Sequence, residues 1–304
     1  MINTYLQLAP LFFMFILGIA LRRIRFADAG HGQFLLKFMF FITLPALVFL
    51  KISQVDLDVR TLVLPLANIG VNLGCMLVTL ALAPLLNVQR RTRGAMLVCT
   101  MITNNAFMFP FMLAIYGDEG FAYAVLFDFG NAVITSTLTY ALAFKYGPEA
   151  HTSKTLITKT LKSPLVWALF LAITMNFLAL GIPRIVEVIL NPLAGMTNPL
   201  ILISLGILFA PRMNQLKLLF TTLFIRMGVG MVIGVSIATL LGLEGVAFTV
   251  VTLCAASPIG FNALTYSTLA KLDDEFTSSA VSASILLGVF YLPLLIYLMS
   301  LFTA

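Results

Sequence analysis

The chain has 304 residues, of which 61% are hydrophobic and only 10% are charged, and its formal net charge is +6. A soluble domain carries about a quarter charged residues to solvate its surface, so this composition excludes an ordinary water-soluble fold. The basic residues lie in short breaks between apolar runs, which membrane topology explains better than a nucleic-acid partner does.

Ten apolar runs follow one another along the chain, and most are about 17–25 residues long, enough for a helix to cross the hydrocarbon core of a bilayer. No basic segment precedes the first run and no small-residue cleavage pattern follows it, so we interpret it as a retained span and not as a signal peptide. The sequence therefore predicts an all-α integral membrane protein of about ten transmembrane helices, here numbered spans 1 to 10: 5–21, 34–50, 61–83, 94–117, 121–144, 164–180, 188–209, 216–241, 246–270 and 276–302.

The loops between the spans carry unequal shares of basic residues. Fourteen Lys and Arg residues lie in loops after odd-numbered spans, whereas loops after even-numbered spans hold only Lys51, Arg60 and Arg184. Because basic residues near span ends resist translocation, the odd-numbered loops are predicted to be cytoplasmic and both termini to lie outside the cytoplasm.

Breaks in the apolar pattern recur at a spacing of about 153–159 residues. Since each half contains five spans, the second copy must enter the membrane upside down, as in many secondary transporters. We therefore predict two inverted five-helix repeats, residues 1–145 and 164–304, joined by a cytoplasmic loop, residues 146–163. The alternative is that the breaks coincide by chance. The paired features are Leu44-Pro45 with Asn198-Pro199, Asn104-Asn105 with Ser257-Pro258, and the acidic turn after Gly117 with the acidic turn at Asp273.

Spans 4 and 9 have the densest breaks, and each break frees backbone groups that lipid cannot satisfy. Two breaks that meet at mid-membrane would place partial positive helix ends and amide donors around one point, which suits a small anion. The alternative is that the prolines are packing kinks and the asparagines are bonded locally. The predicted substrate-binding residues are Asn104, Asn105 and Pro110 in span 4 and Ser257, Pro258 and Asn262 in span 9.

Two charged residues lie well inside predicted spans, Asp128 in span 5 and Arg226 in span 8. Ionisable groups at that depth are costly unless they are paired or hydrated, which makes them functional candidates. We expect Asp128, with Asn131, to act in gating or to bind a coupling proton or cation, and Arg226 to attract an anionic substrate. The alternatives are a structural ion pair, or an Arg226 side chain that extends to the cytoplasmic face.

Other chemistry has little support in the sequence. Cys75, Cys99 and Cys254 all lie in apolar runs, and His31 and His151 are about 120 residues apart, so neither set predicts a disulfide or a metal site. The chain has no phosphate-binding glycine loop, zinc-protease motif or nucleophile elbow. We expect no cofactor, no enzymatic activity and no ATP-driven transport by this chain alone.

Three segments resemble the auxin efflux carrier family: Phe41–Phe49 around Pro45, Leu126–Asn131 around Asp128, and Ala256–Ala263 around Pro258. The stretch from Asn198-Pro199 to Gly206 is similar to the seventh span of that family, and the likeness extends in order over nearly the whole chain. It implies ten spans in two inverted halves, with broken helices 4 and 9 that cross at the substrate site. It also implies a crossover domain that moves against a scaffold domain, and organic anions as substrates.

One segment departs from the family pattern. Span 4 of the family has Asn, then glycines, then Pro, whereas here the segment from Asn104 to Pro110 is a residue shorter and Ala106 and Phe107 stand where glycines are expected. The departure bears on how closely backbone and substrate approach. The loop between the halves is short, unlike the long loop of many plant carriers, which favours a bacterial inner membrane.

The sequence therefore predicts a secondary active or facilitative transporter of small organic anions, mono- or dicarboxylates, that works by alternating access in a lipid bilayer. The alternative within transport is a sodium- or proton-coupled symporter of the bile-acid-carrier type. The remote alternative is a membrane sensor without transport. Substrate identity, coupling ion, direction and oligomeric state stay open, a homodimer included.

Overall fold

The computed structural model describes residues 2–55, 57, 59–86, 88–148, 163–209 and 215–302. This part of the chain consists of helices, the connections between them and one isolated β-bridge, and it contains no β-strand. The prediction of an all-α fold is confirmed. Its α-helices are α1 Ile2–Arg23, α2 Ala29–Phe38, α3 Leu44–Ile52, α4 Leu64–Leu82, α5 Arg90–Met101, α6 Asn105–Ile134, α7 Tyr140–Tyr146, α8 Pro164–Phe177, α9 Arg184–Gly195, α10 Thr197–Leu208, α11 Leu216–Leu223, α12 Gly230–Leu240, α13 Gly245–Ala255, α14 Asn262–Leu269 and α15 Asp274–Phe302.

Within the described residues, six helical stretches are long and apolar enough to cross a bilayer. Two further apolar helices, α8 and α13, are shorter. The number is below the ten predicted, in part because the structure divides predicted spans 4 and 9 into shorter helices. The plan of ten spans in two inverted repeats stays a prediction, and residues 149–162 of the predicted connecting loop lie outside the described residues. The six stretches are Ala29–Ile52, Thr61–Leu86, Asn105–Tyr146, Arg184–Leu208, Leu216–Leu240 and Asp274–Met299.

The stretch Asn105–Tyr146 has 42 residues, about twice what one crossing needs. Gly117 divides it, because its backbone is not helical (φ 63°, ψ −155°). Only glycine adopts this region without strain. The division falls between predicted spans 4 and 5.

Single turns of π-helix interrupt three of the spans: Met39–Thr43, Thr135–Thr139 and Phe224–Val229. The first precedes Pro45, which lies in the first turn of α3. Proline has no N–H and its ring crowds the carbonyl four residues earlier, so a widened turn accommodates it within a continuous helical stretch. The third contains Arg226.

The described chain divides into two compact units that do not coincide with the two sequence halves. Unit 1 consists of Met1–Thr61, Ala106–Val125 and Lys159–Phe209, and unit 2 consists of Leu62–Asn105, Leu126–Thr158 and Ala210–Ala304. This division reflects compactness and does not test the predicted repeats.

Unit 1 is built around the packing of α1 on α10, with α3 packed on α8 and α9. The first contact is backbone against backbone: a Cβ atom added to Gly206 would lie 2.8 Å from Gly18 Cα. Arg22 Nη1 donates to the carbonyls of Ile207 and Phe209, both at 2.9 Å, and so satisfies the C-terminal end of α10. An ion pair between Lys51 and Asp118, at 3.0 Å, lies in the same unit.

Unit 2 packs α12 between α4 and α13. Small residues permit the close approach, since a Cβ atom on Gly234 would lie 2.4 Å from Ala255 Cβ and one on Gly74 would lie 2.7 Å from Ile233 Cδ1. Such small-residue contacts are the usual means by which helices associate in lipid.

The distribution of polarity is that of a membrane protein. Large apolar side chains such as Phe224, Leu240 and Phe290 are exposed, whereas polar side chains such as Asn68, Asn72 and Arg226 are fully buried. A surface of this kind requires an apolar solvent, and the buried polar groups require partners inside the protein.

Candidate functional site

Predicted spans 4 and 9 are each interrupted, and the two interruptions are bonded to each other. Residues 102–104 separate α5 from α6, and residues 256–261 separate α13 from α14. An antiparallel β-bridge joins Thr103 to Ile259. We call residues 102–104 and 258–260 the paired break.

The bridge consists of two reciprocal main-chain hydrogen bonds. The Asn104 N–H donates to the Pro258 carbonyl at 2.9 Å, and the Gly260 N–H donates to the Ile102 carbonyl at 2.9 Å. Each interruption therefore satisfies backbone groups that the other exposes, as a buried break in a membrane helix must. Position 260 has no room for a side chain, so glycine is required there: a Cβ atom would lie 2.7 Å from the Thr103 carbonyl oxygen.

The side chain of Asn131 holds the break in span 4. Its Oδ1 accepts from the Thr103 N–H at 3.3 Å, and its Nδ2 donates toward the Thr103 carbonyl at 3.4 Å. The Thr135 hydroxyl also donates to Asn131 Oδ1, at 3.2 Å. In the break of span 9, Ser284 has the corresponding role, since its Oγ accepts from the Ile259 N–H at 3.0 Å.

Asp128 joins this network through one carboxylate oxygen. Its Oδ1 accepts from Asn105 Nδ2 at 2.8 Å and from Asn131 Nδ2 at 3.0 Å. Asn105 Nδ2 also donates to the Thr103 hydroxyl at 3.1 Å. The structure therefore brings together Asp128, Asn131 and Asn105, three of the predicted site residues, while the Asp128 side chain stays only partly buried.

Two polar atoms beside the paired break have no hydrogen-bond partner within the described chain. They are Asn105 Oδ1 and Ser257 Oγ, and both are buried. Asn105 is the first residue of α6, and Ser257 lies in the break of span 9. Buried polar atoms are rarely left unsatisfied, so these two are the candidates for contact with water or a ligand.

The other predicted binding residues differ in their surroundings. Asn104 is buried, its N–H lies in the bridge, and its Nδ2 is 3.4 Å from the Ile259 carbonyl oxygen. Pro258 supplies an acceptor carbonyl to the bridge. Asn262 begins α14 and its side chain is exposed. Pro110 is buried within α6 and belongs to unit 1, whereas the paired break belongs to unit 2.

Arg226 is fully buried, and its guanidinium bonds to two helix ends. Nη1 donates to the Thr100 carbonyl at 3.0 Å, near the end of α5, and Nη2 donates to the Ala255 carbonyl at 2.6 Å, at the end of α13. Nη1 also donates to Asn72 Oδ1 at 3.1 Å. The ion pairs found in the described chain are Lys51–Asp118 and His31–Asp28. Two alternatives that the sequence offered for Arg226 are therefore wrong. It forms no ion pair with Asp128, and its fully buried side chain does not extend to the cytoplasmic face.

Sequence reasoning gave little weight to two residues of this network. Asn72 stands out only by its distance from Arg226, which is 154 residues, the spacing of the predicted repeat. Ser284 lies in a run of small and apolar residues, and its signal is its distance of 153 residues from Asn131, again the spacing of the predicted repeat. No group of three or more His, Cys, Asp or Glu side chains that could hold a metal ion occurs in the residues the structure describes.

Apolar helices, a bonded pair of helix breaks and buried polar groups around them are features of a polytopic membrane protein with polar groups in its interior. The sequence matches the membrane transport protein family over residues 4–296. The chain belongs to this family, which is the auxin efflux carrier family that its motifs resemble. It is therefore an integral membrane transport protein.

Two archaeal proteins are similar to it. An uncharacterized transporter of Methanothermobacter thermautotrophicus is 26% identical over 265 residues, 83% of this chain and 84% of the relative. An uncharacterized transporter of Methanocaldococcus jannaschii is 24% identical over 262 residues, again 83% of this chain and 84% of the relative.

Proposed function

We propose that this protein is a secondary transporter of small organic anions, mono- or dicarboxylates, that works by alternating access, with its substrate site at the paired break. The observation that carries the proposal is the reciprocal bonding of two broken spans inside a membrane transport protein. A continuous helix pair would bring no helix end near a substrate, whereas the paired break brings together the ends of four helices, α5, α6, α13 and α14.

The electrostatics of the break favour an anion. α6 and α14 begin at the break, and helix N-termini carry partial positive charge. α5 and α13 end there, and their partial negative ends would repel an anion. Arg226 bonds to both of those ends, so its charge offsets them and the two N-terminal ends keep their partial positive charge; the carboxyl of Asp128, bonded to Asn105 and Asn131, is the acidic group that opposes them.

Donors suited to a carboxylate lie beside these helix ends. The Ser257 hydroxyl is buried without a partner in the described chain, and the Asn262 amide is exposed at the start of α14. Both can donate to a carboxylate oxygen. Asn104 and Asn105 then line the site from span 4, and Pro258 lies in the interruption of span 9. Pro110 lies within α6, outside the paired break.

The inverted-repeat plan is supported by the spacing of the bonded residues. The partners across the β-bridge, and the pair Asn72 and Arg226, are separated by the spacing at which the sequence features recur. A two-fold rotation that exchanges the two halves would place each bridge hydrogen bond on the position of the other. This is what an axis between inverted repeats requires. We propose that the axis passes through the bridge and that spans 4 and 9 cross there.

A sodium- or proton-coupled symporter is the second candidate, and Asp128 is the observation that favours it. A partly buried carboxylate beside the break is a reasonable proton carrier. However, Oδ1 of Asp128 already accepts two amide hydrogen bonds, which is also what a purely structural carboxylate would do. Asp128→Asn separates the two roles, because an amide oxygen can keep both bonds but cannot carry a proton.

The test is transport by purified protein in sealed proteoliposomes. Currents on a solid-supported membrane are recorded across a panel of mono- and dicarboxylates, with labelled-substrate counterflow to detect electroneutral exchange. We expect a saturable signal for one class of carboxylate that falls at least about tenfold in Asn262→Ala, since one charge-assisted hydrogen bond is lost. Asn191→Ala, another exposed asparagine on a helix, is the matched control and should leave transport unchanged.

The outcomes discriminate the candidates. A signal that persists in Asp128→Asn but loses its dependence on pH or sodium would favour the coupled symporter over a uniporter. Silence in both current and counterflow across the panel would refute the anion carrier and leave the membrane sensor. We further propose a bacterial inner membrane location with both termini outside, which reporter fusions at the C-terminus can test.

A further inference from the structure

Arg226 has an arrangement that substrate attraction alone does not explain. Its three hydrogen bonds go to two main-chain carbonyls and to Asn72, all neutral groups. The carbonyls belong to Thr100, the penultimate residue of α5, and Ala255, the last residue of α13. One side chain therefore joins the two half-helices immediately before they enter the paired break.

The charge of Arg226 fits this position. The C-terminal end of a helix carries about half a negative charge, so two such ends together balance one guanidinium. A buried charge is retained in a membrane protein only where protein groups solvate it, and here the two helix ends do so. Gly230, one turn later in the same helical stretch, leaves room for the guanidinium, because a Cβ atom there would lie 2.8 Å from Nη2 of Arg226.

We propose that Arg226 is the positioning residue of the paired break: it clamps the C-terminal ends of α5 and α13 together and thereby holds the two reciprocal bridge bonds in register. This role deepens the proposed function, and only its transport readout rests on that function. Arg226 does not need to contact the substrate.

Asn72 and Arg226 occupy corresponding positions in the two halves of the predicted repeat, which allows the clamp to be tested by an exchange of side chains. Asn72 is 154 residues before Arg226 and accepts its hydrogen bond, so the two side chains face each other across the predicted two-fold axis. An arginine placed at position 72 would face the same two helix ends. One helical turn after position 72 lies Met76, whereas one turn after Arg226 lies Gly230. The exchange therefore also needs Met76→Gly, which leaves space for the guanidinium.

The experiment compares Arg226→Asn/Met76→Gly with the same pair of changes plus Asn72→Arg, in purified protein reconstituted in nanodiscs. The readouts are the melting temperature and the hydrogen-exchange rates of the Asn104 and Gly260 amides, which are the bridge donors. We expect these two amides to exchange about a hundredfold faster or more in the first variant, because the bridge opens locally. Adding Asn72→Arg should restore protection to within about tenfold of the parent. Lys217→Asn, an exposed basic residue of α11, is the control for loss of charge.

Each outcome decides the matter. Restored protection in the exchanged variant supports the clamp, since a merely structural defect at position 226 would not be corrected from position 72. If the first variant does not accumulate as folded protein, recovery of folded protein on adding Asn72→Arg is the same test. Unchanged exchange in the first variant, or no recovery in the exchanged one, overturns the proposal. Loss of transport with an intact bridge would also overturn the clamp, whereas a parent protein that carries no carboxylate would count against the proposed function alone.

Discussion

Gly130→Ala tests whether close packing of span 5 on span 3 sets the geometry of the site. Gly130 lies between Asp128 and Asn131, and a Cβ atom added there would be 2.0 Å from the Pro65 carbonyl oxygen and 3.0 Å from Asn68 Cβ. An ordinary contact needs about 3.4 Å or more, so the helix must retreat by roughly 1.4 Å. The obstacle is backbone, which cannot turn aside as a flexible side chain could.

The expected cost is at the upper end of the range for overpacking, about 2–3 kcal/mol. For a chain of 304 residues that corresponds to a melting temperature lower by about 3–5 °C. The same retreat moves Asp128 and Asn131 by more than hydrogen bonds of 2.8–3.4 Å tolerate, so transport should fall at least about tenfold.

The assay is thermal unfolding of purified protein followed by tryptophan or dye fluorescence, with transport measured on the same preparations. Gly195→Ala is the matched control, because a Cβ atom at Gly195 would meet nothing within 4 Å. The control should be neutral or slightly stabilising. If Gly130→Ala melts with the parent and transports normally, the argument that backbone contact positions this part of span 5 is refuted.

Three further predictions follow from other contacts. Asp128→Ala should lower the free energy of unfolding by about 1–3 kcal/mol, because two buried amide donors lose their shared acceptor. Asp128→Asn should unfold at nearly the temperature of the parent, and equal melting temperatures for the two variants would contradict this. Gly206→Ala should destabilise unit 1 by about 1–3 kcal/mol, since its Cβ atom would lie 2.2 Å from the Phe15 carbonyl oxygen, and a melting curve that matches Gly195→Ala would argue against the tight α1–α10 contact. At the start of α2, outside the membrane span, the His31 N–H and ring hold the pKa of Asp28 below its ordinary value. The stabilisation of that cap is therefore present above about pH 4 and is lost as the pH falls through the lowered pKa. The expected result is that the His31 amide loses protection, measured against its intrinsic exchange rate at each pH, on acidification of the parent but not of Asp28→Ala. Identical protection profiles would exclude the cap.

The helical fold and the positions of the two breaks could be predicted from the sequence, because both follow from local rules. Apolar length indicates a span, and Pro258 or an asparagine pair within such a run indicates an interruption. The bonding of one break to the other was predicted only as a meeting at mid-membrane. Its main-chain hydrogen bonds have no side-chain signature, so composition could not reveal which residues pair.

The role of Arg226 could not be predicted for a different reason. A lone arginine in a span indicates only that some partner exists, and an ionised partner is the obvious expectation. The partners are helix ends, whose partial charges exist only once α5 and α13 are interrupted. The π-helical turn that contains Arg226 is likewise a result of packing that no propensity scale indicates.

The β-bridge between the breaks uses main-chain atoms alone. Side chains at the paired break can therefore change in evolution without loss of the bridge, whereas a site held together by side chains would not tolerate such changes. At the proposed site, substitutions at Asn104 or at the exposed Asn262 would change which solute is recognised without removing either bridge bond. The same tolerance accommodates Ala106 and Phe107, where the family has glycines. A main-chain bridge could therefore persist between relatives that have about a quarter of their residues in common and carry different solutes, so substrates should not be transferred between them on sequence similarity alone.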